Sequence, residues 1–497
     1  MNRPKTFGAL KESGWKSRSV KDELRENLIA SIQDGKQLFQ GIVGYDRTVV
    51  PQVVNALLSR HNLILLGLRG QAKTRILRGM VEFLDEYIPV VRDSEINDDP
   101  FEPISKRARD LIALHGDDTE IEWLHRDARY AEKLATPDVS IADLIGDVDP
   151  IKAATHRLTF ADEEVIHFGI IPRTNRGIFA INELPDLQPR IQVGLLNILE
   201  EKDIQIRGFP VRIPLDLMLC FSANPEDYTN RGSIITPLKD RIESQVLTHY
   251  PITLEDSKTI TDQEAWTDRP KQASIHMPMF IRDAIEQIAF EARKSEFVDQ
   301  ASGVSARMTI AILESVLSNA ERRCLLTKQR DTYVRVIDLA AAIPAMSGKL
   351  ELVYEGEQEG AHKVATTIIG SAVRSTFEKY FPGVYATRAR MGRNKREAVP
   401  EREEGPYKPI IDFFAKSKRL ELTDESSDTE FAKQLRTVPE LEKLTKEYLK
   451  DLKGNALAVG MEFVLEGLHQ SSLLAKEDLD RGVLYCDMLG AMYDDLA

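Results

Sequence analysis

Three short runs are almost wholly apolar and then break abruptly into polar residues: NLILLG at 62–67, RGIFAINE at 176–183 and LDLMLCFSAN at 215–224. A strand with one buried face alternates apolar and polar residues, whereas these runs do not, so both of their faces must be covered. That coverage is the property of a parallel sheet with helices on each side. Between 42 and about 255 such runs alternate with helical patterns, which predicts an α/β domain built on a parallel sheet sandwiched by helices. In that arrangement the carboxyl ends of neighbouring strands open onto one crevice. The residues that follow each apolar run are therefore the place to look for chemistry.

At 497 residues the chain is too long for one core, and with 42% hydrophobic and 29% charged residues most of it is expected to fold. Residues 1–41 read as an N-terminal helical segment, in which VKDELRENLIASIQDGKQLFQ places Leu24, Leu28 and Ile32 on one helical stripe. The α/β domain follows over 42–255. It is interrupted by a long polar insertion from Arg92 to Pro137, and residues 203–214 carry a hairpin pattern around Gly208-Phe209-Pro210. The pattern over 256–350 is wholly helical and predicts a small lid domain. Residues 351–497 read as a helical C-terminal extension with a linker near 382–409.

Composition excludes several classes. A net charge of −13 argues against a generally basic nucleic-acid surface. The cluster Arg388, Arg390, Arg393, Lys395 and Arg396 is followed at once by acidic EREE and reads as a solvated loop. Cys220, Cys324 and Cys486 lie far apart without a CxxC pair, which suggests neither a disulfide framework nor a thiolate zinc site. With no apolar signal-peptide core and no run of eighteen uncharged apolar residues, the expectation is a cytoplasmic protein that is neither exported nor inserted in a membrane.

The stretch after the first apolar run, Gly67-Leu-Arg-Gly70-Gln-Ala-Lys73-Thr74, has the parts a triphosphate site requires: a turn of backbone N–H groups, an ammonium, a hydroxyl for Mg²⁺ and a helix start. The full pattern has glycine where this chain has Ala72, which strains the loop if that position needs positive φ. The second run ends in Asn182 and Glu183. Glu183 can act as a base toward water, and Asn182 offers a neutral oxygen where a carboxylate would hold a metal more tightly. The third run ends at Asn224, placed to position a water, although a plain Asn-Pro turn taken in isolation explains it almost as well. Arg241 and Arg307 suit developing phosphoryl charge, and solvated salt bridges account for either one.

Assembled in this order, Lys73-Thr74, Asn182-Glu183, Asn224, Arg241 and Arg307 make residues 40–350 resemble an AAA+ ATPase, and within that class the magnesium chelatase ATPase-subunit group close to the MoxR-type ATPases. GIVGYD at 41–46, NRGIFAINELPDL, DIQIRGFPVRIP, SANPED and GVSAR carry the resemblance further. It implies ATP and Mg²⁺ as cofactors. Ile42, Val43 and Gly44 would flank the adenine, and Gly67, Arg69, Gly70, Gln71, Ala72, Lys73, Thr74 and Arg75 would form the phosphate loop. Thr74 and Asn182 would face the metal, with Glu183 as the base, Asn224 as first sensor, Arg241 as the finger into a neighbouring subunit and Arg307 as second sensor. It further implies a homo-oligomeric ring, commonly a hexamer, that drives remodelling or metal insertion through a partner with a von Willebrand factor A domain. Ala72 and Asn182 depart from the pattern and leave a second reading, a nucleotide-gated assembly module with slow or no hydrolysis. A DNA-acting member would carry a helix-turn-helix, and none is evident.

Overall fold

The computed structural model describes residues 3–149, 151–152, 155, 163–206, 212–225, 233–269, 274–383 and 405–488. Gly208-Phe209-Pro210 and the basic cluster from Arg388 to Arg396 lie outside the described residues. The chain divides into two compact units, residues 1–250 and 251–497.

The architecture of the first unit rests on strands β1 (Leu63–Leu66), β2 (Tyr87–Val91), β3 (Ile121–His125), β4 (Tyr130–Leu134), β5 (Gly177–Asn182), β6 (Leu217–Ala223) and β7 (Ser244–Leu247). Five of them form one sheet in the order β7-β1-β6-β5-β4, with every neighbouring pair parallel. The three apolar runs are β1, β5 and β6 at its centre, as their composition predicts. Both faces are buried by alternate residues. Leu63, Leu65, Ile178, Ala180, Met218 and Cys220 join one core, and Ile64, Leu66, Phe179, Ile181, Leu219 and Phe221 join the other.

Helices α1 (Val20–Gln33), α2 (Val49–Leu58) and α3 (Lys73–Gly79) contribute to the first of these cores, and α4 (Pro189–Glu200) and α5 (Thr236–Arg241) to the second. Helix α1 starts where the Ser19 side chain accepts from the Asp22 N–H at 3.2 Å. Leu24 and Leu28 of the expected stripe are buried, as is Val20 before them, while Ile32 is 45% exposed.

The long polar insertion contains elements its composition conceals. β3 pairs antiparallel with β2, the strand just before the insertion, and β4 joins the main sheet beside β5. β4, with sequence YAEKL, is an edge strand whose side chains are half-buried or exposed, so it lacks the apolar signal of the central strands. The stems of the expected hairpin, Asp203–Gln205 and Arg212–Pro214, pair antiparallel as predicted.

One buried ion pair fixes α1 to the sheet. The Arg129 guanidinium donates to both Glu23 oxygens at 2.7 and 2.6 Å and to the Arg176 carbonyl at 2.8 Å, and Glu23 also accepts from the Asp85 N–H at 2.6 Å. Arg129 is 1% exposed, so every bond lost there leaves an uncompensated charge in a dry interior.

The second unit contains α6 (Met279–Ala292), α7 (Ala306–Leu326), α8 (Ala361–Tyr380) and α9 (Gly454–Gln470). The sequence predicts helices here on either side of a linker near 382–409, and helices dominate among the described residues. An antiparallel sheet is added by β8 (Leu420–Thr423), β9 (Ala475–Leu479) and β10 (Gly482–Cys486), in the order β8-β10-β9. Ser274–His276 also pairs with Asp331–Tyr333, inside the stretch expected to be wholly helical. These strands are three to five residues long, too short and too mixed in character to stand out from helix in sequence. A single hydrophobic core runs through the unit and includes Phe280, Val316, Phe377, Phe463 and Tyr485, on both sides of residue 350. Glu462 is buried within α9 and accepts from the Val336 and Ile337 N–H groups at 2.7 and 3.0 Å.

Glu23→Ala is expected to lower the unfolding free energy of the first unit by about 3–5 kcal/mol, since Arg129 would remain buried without its partner. Urea denaturation measures this, and a loss below about 1 kcal/mol would show that the pair does not anchor α1. A second expectation concerns pH. Burial pushes the Asp216 carboxyl up to about 6, against the Val20 N–H and Arg176, and the Glu462 carboxyl up to about 7, against the Val336 N–H and Arg335. Each folded carboxyl keeps its proton to higher pH than the unfolded chain does, so stability falls as pH rises from the usual carboxylate range through these values. Melting temperatures should drop between about pH 4.5 and about pH 7, and Asp216→Asn should flatten the drop for the first unit. An upward trend over this window contradicts the assignment.

Candidate functional site

The parallel sheet brings the ends of β1, β5, β6 and β7 to one edge, and the residues just beyond them meet there. The chain leaves β1 at Gly67, whose N–H donates to the Ala223 carbonyl at 3.2 Å. A Cβ at Gly67 would stand 1.9 Å from Thr248 Oγ1 and 2.2 Å from Gln71 Oε1, so only glycine permits this approach. Gly70 has φ 73° and Ala72 has φ 56°. Ala72 therefore sits in the left-handed region, where an L side chain costs about 1 kcal/mol. The substitution noted in sequence falls on a position that does require positive φ. Helix α3 begins at the next residue, Lys73, and its first N–H groups lack intrahelical partners.

Side chains that sequence reasoning missed brace this loop. The Tyr45 hydroxyl donates to the Gln71 carbonyl at 3.0 Å and the His249 carbonyl at 2.6 Å. Burial pushes its phenol up to about 12, so it remains a donor. Thr248 donates to Gln71 Oε1 at 2.7 Å, and the Tyr250 hydroxyl donates to the Arg69 carbonyl at 2.9 Å. Thr48 Oγ1 and His249 Nε2 lie 2.7 Å apart. Residues 248–250 directly follow β7, and that position at the sheet's carboxyl edge was the available signal. Ile42 is buried, Gly44 has φ 77°, and Tyr45 links their turn to the phosphate loop.

The Lys73 ammonium is buried at 8% exposure. It donates to the Gly67 carbonyl, to the Leu68 carbonyl at 3.0 Å and to Asn224 Oδ1 at 2.7 Å. Asn224 Nδ2 in turn donates to Glu183 Oε2 at 2.8 Å. Lysine only donates and carboxylate only accepts, so the orientation of the Asn224 amide is fixed by its two neighbours. Glu183 has φ 57°, a left-handed residue that breaks β5 and turns the chain at the sheet edge. Asn182 Oδ1 accepts from Ser222 Oγ at 3.1 Å and faces Thr74 Oγ1 at 3.5 Å. Lys73, Thr74, Asn182, Glu183 and Asn224 thus form one connected network across β1, β5 and β6.

Arg69 and Arg75 are exposed on the loop and the first turn of α3. Arg241 lies outside the network. Its Nε donates to Glu200 Oε2 at 2.8 Å and its Nη1 to the Pro237 carbonyl at 3.0 Å. Arg307 belongs to the second unit, exposed in the first turn of α7, where its N–H donates to the Ser305 side chain at 3.2 Å.

These residues fit a triphosphate and Mg²⁺. The glycine-restricted approach at Gly67, the left-handed residues at 70 and 72 and the α3 N-terminus make a backbone cradle for an anion. The Thr74 hydroxyl and the Asn182 carbonyl oxygen are hard, neutral donors. Among the described residues no group of three or more His, Cys, Asp and Glu side chains could hold a metal ion. Two such donors can serve Mg²⁺, which retains waters and takes much of its coordination from substrate phosphates.

No protein-family model and no curated protein matches the chain. Among solved structures it is similar to a complex of the BchI and BchD subunits of magnesium chelatase, at 18% identity over 65% of this chain and 98% of that one, with a TM-score of 0.33. It is also similar to NtrX from Brucella abortus in complex with ADP, at 14% identity, 72% and 67% coverage and a TM-score of 0.34. RuvB from Thermotoga maritima follows at 11% identity, 73% and 78% coverage and a TM-score of 0.32.

Ala72→Gly is expected to leave stability unchanged or raise it by up to about 1 kcal/mol, because relief of the left-handed strain offsets the added freedom of the unfolded chain. Gly67→Ala is expected to cost about 1–3 kcal/mol as Thr248 and Gln71 are driven off the loop. Thermal denaturation reads both, and a destabilised Ala72→Gly would contradict the left-handed backbone at that position.

Proposed function

We propose that the first unit binds ATP on the Gly67–Thr74 loop and hydrolyses it, as an AAA+-type ATPase. The observation that carries this reading is the chain of contacts from Lys73 through Asn224 to Glu183, which sets a cation beside the loop and a carboxylate across a short gap from it. Lys73 compensates the β and γ oxygens. Glu183 takes the proton of an attacking water, and Asn224, already joined to both, holds that water between them. Thr74 and Asn182 would hold Mg²⁺, which when bound would neutralise phosphate charge during transfer.

The resemblance in motif order adds a ring of copies, commonly six, in which Arg241 reaches the adjacent subunit's site and Arg307 reports the nucleotide to the lid. It also adds a partner bearing a von Willebrand factor A domain, through which remodelling or metal insertion would be driven. Sizing the chain with and without ATP tests the ring, and the identity of co-purifying proteins tests the partner. Among the described residues no helix is long and apolar enough to cross a membrane.

A second reading keeps the site and removes the turnover: ATP acts as an assembly switch. Left-handed Ala72 and neutral Asn182 favour it, the first by straining the loop and the second by weakening the metal site. Phosphate release separates the two. The ATPase reading expects magnesium-dependent release by the wild type, a loss of about 100-fold or more in Glu183→Gln with ATP still bound, and loss of both binding and turnover in Lys73→Ala. A wild type that binds ATP without releasing phosphate supports the switch.

A further inference from the structure

β4, the edge strand hidden in the polar insertion, carries a carboxylate that the motif pattern does not include. In the parallel register with β5, Glu132 lies opposite Ala180 and Leu134 opposite Asn182. Glu132 and Asn182 are therefore diagonal neighbours on one face of the sheet. Ala180, on that same face, packs in the core that also receives Ile76 and Leu77 of α3. Helix α3, the helix of the phosphate loop, itself grips Glu132. Arg78 Nε donates to Glu132 Oε2 at 3.1 Å and Arg78 Nη2 donates to Oε1, while the Tyr130 hydroxyl donates to Oε2 at 2.9 Å. Arg78 foremost, then Tyr130 and the Asn182 side chain, hold the Glu132 carboxyl below the usual carboxylate range, against burial.

Ser222 is on β6 and Glu132 on β4, the two strands that flank β5, so with Oδ1 on the Ser222 side the other end of the Asn182 amide, Nδ2, is turned to the side of Glu132, whose carboxylate can only accept. Oδ1 is then left facing the other way, toward Ser222 and Thr74, where the contacts of 3.1 and 3.5 Å place it. An amide that donates to an anion is also polarised, which strengthens its oxygen as an acceptor. We propose that Glu132 is the positioning residue of the metal site: by accepting from Asn182 Nδ2 it aims Oδ1 beside Thr74. The inference rests on the nucleotide reading and goes beyond it by assigning a residue to the magnesium dependence.

Calorimetric titration of the full chain with ATP, once with magnesium and once with EDTA, yields the factor by which magnesium tightens binding. Loss of an outer partner of a metal ligand typically costs 10–100-fold in metal affinity. Glu132→Ala is expected to shrink the magnesium factor by about 10-fold while leaving the affinity in EDTA unchanged. Glu132→Ala combined with Asn182→Asp is expected to restore the factor, because a carboxylate at 182 carries its own charge and has no amide to orient. An unchanged factor in Glu132→Ala, an equal loss of affinity in EDTA, or no recovery in the double variant overturns the assignment while leaving the nucleotide reading intact. A folded wild type that gives no heat with ATP in either buffer overturns the nucleotide reading itself, and the assignment with it.

Discussion

The Lys73 ammonium is nearly removed from water, and a cation in that position persists only where oxygen atoms converge on it. Its compensation comes from two loop carbonyls and from Asn224 Oδ1, and these sit on chain segments more than a hundred residues apart in sequence. Satisfying this one charge therefore requires β1 and β6 to be adjacent, in parallel register, with their ends level. Leu66 opposite Ala223 provides that alignment, since Gly67 and Asn224 are the next residues on their strands. Asn224 then passes the constraint to Glu183 on β5, so three strands are tied by one line of polar contacts at the edge of an otherwise apolar sheet.

Around that line the structure departs from relaxed geometry in two places. Ala72 and Glu183 both adopt left-handed backbones, each at a point where the chain turns beside the network. Such residues persist only where their surroundings overdetermine them. At Ala72 the bracing comes from Tyr45, Thr248 and Tyr250, which bond the backbone or side chains of residues 69–71. The loop is thus held in shape by the segment after β7 and by the turn at 42–45, and does not depend on glycine at every position where glycine would be easiest.

What the sequence disclosed follows from burial. β1, β5 and β6 are covered on both faces and read as unbroken apolar runs, and the polar residues ending them could be named because a parallel sheet gathers strand ends. β4 escaped because an edge strand is half solvated and YAEKL carries no such signal. With β4 went Glu132, and with the polar character of SQVL in β7 went the bracing role of Thr248, His249 and Tyr250. The Arg129 and Glu23 pair was equally invisible, since charge complementarity between residues 106 positions apart leaves no local pattern. Ala72 was legible as a conditional: its strain depended on a backbone angle that only the structure supplies. In the second unit helices were evident from period, whereas β8, β9 and β10 are short and mixed in character.

The central claim is that the backbone of residues 67–75, with Lys73, closes on the phosphates of ATP. Hydrogen exchange of the peptides covering this loop and the start of α3, followed with and without magnesium and ATP, tests it at the amides themselves. The account predicts marked slowing of exchange across residues 70–75 on adding ATP, absent in Lys73→Ala. Exchange in that segment left unchanged by millimolar ATP, with the wild-type protein folded, would contradict it.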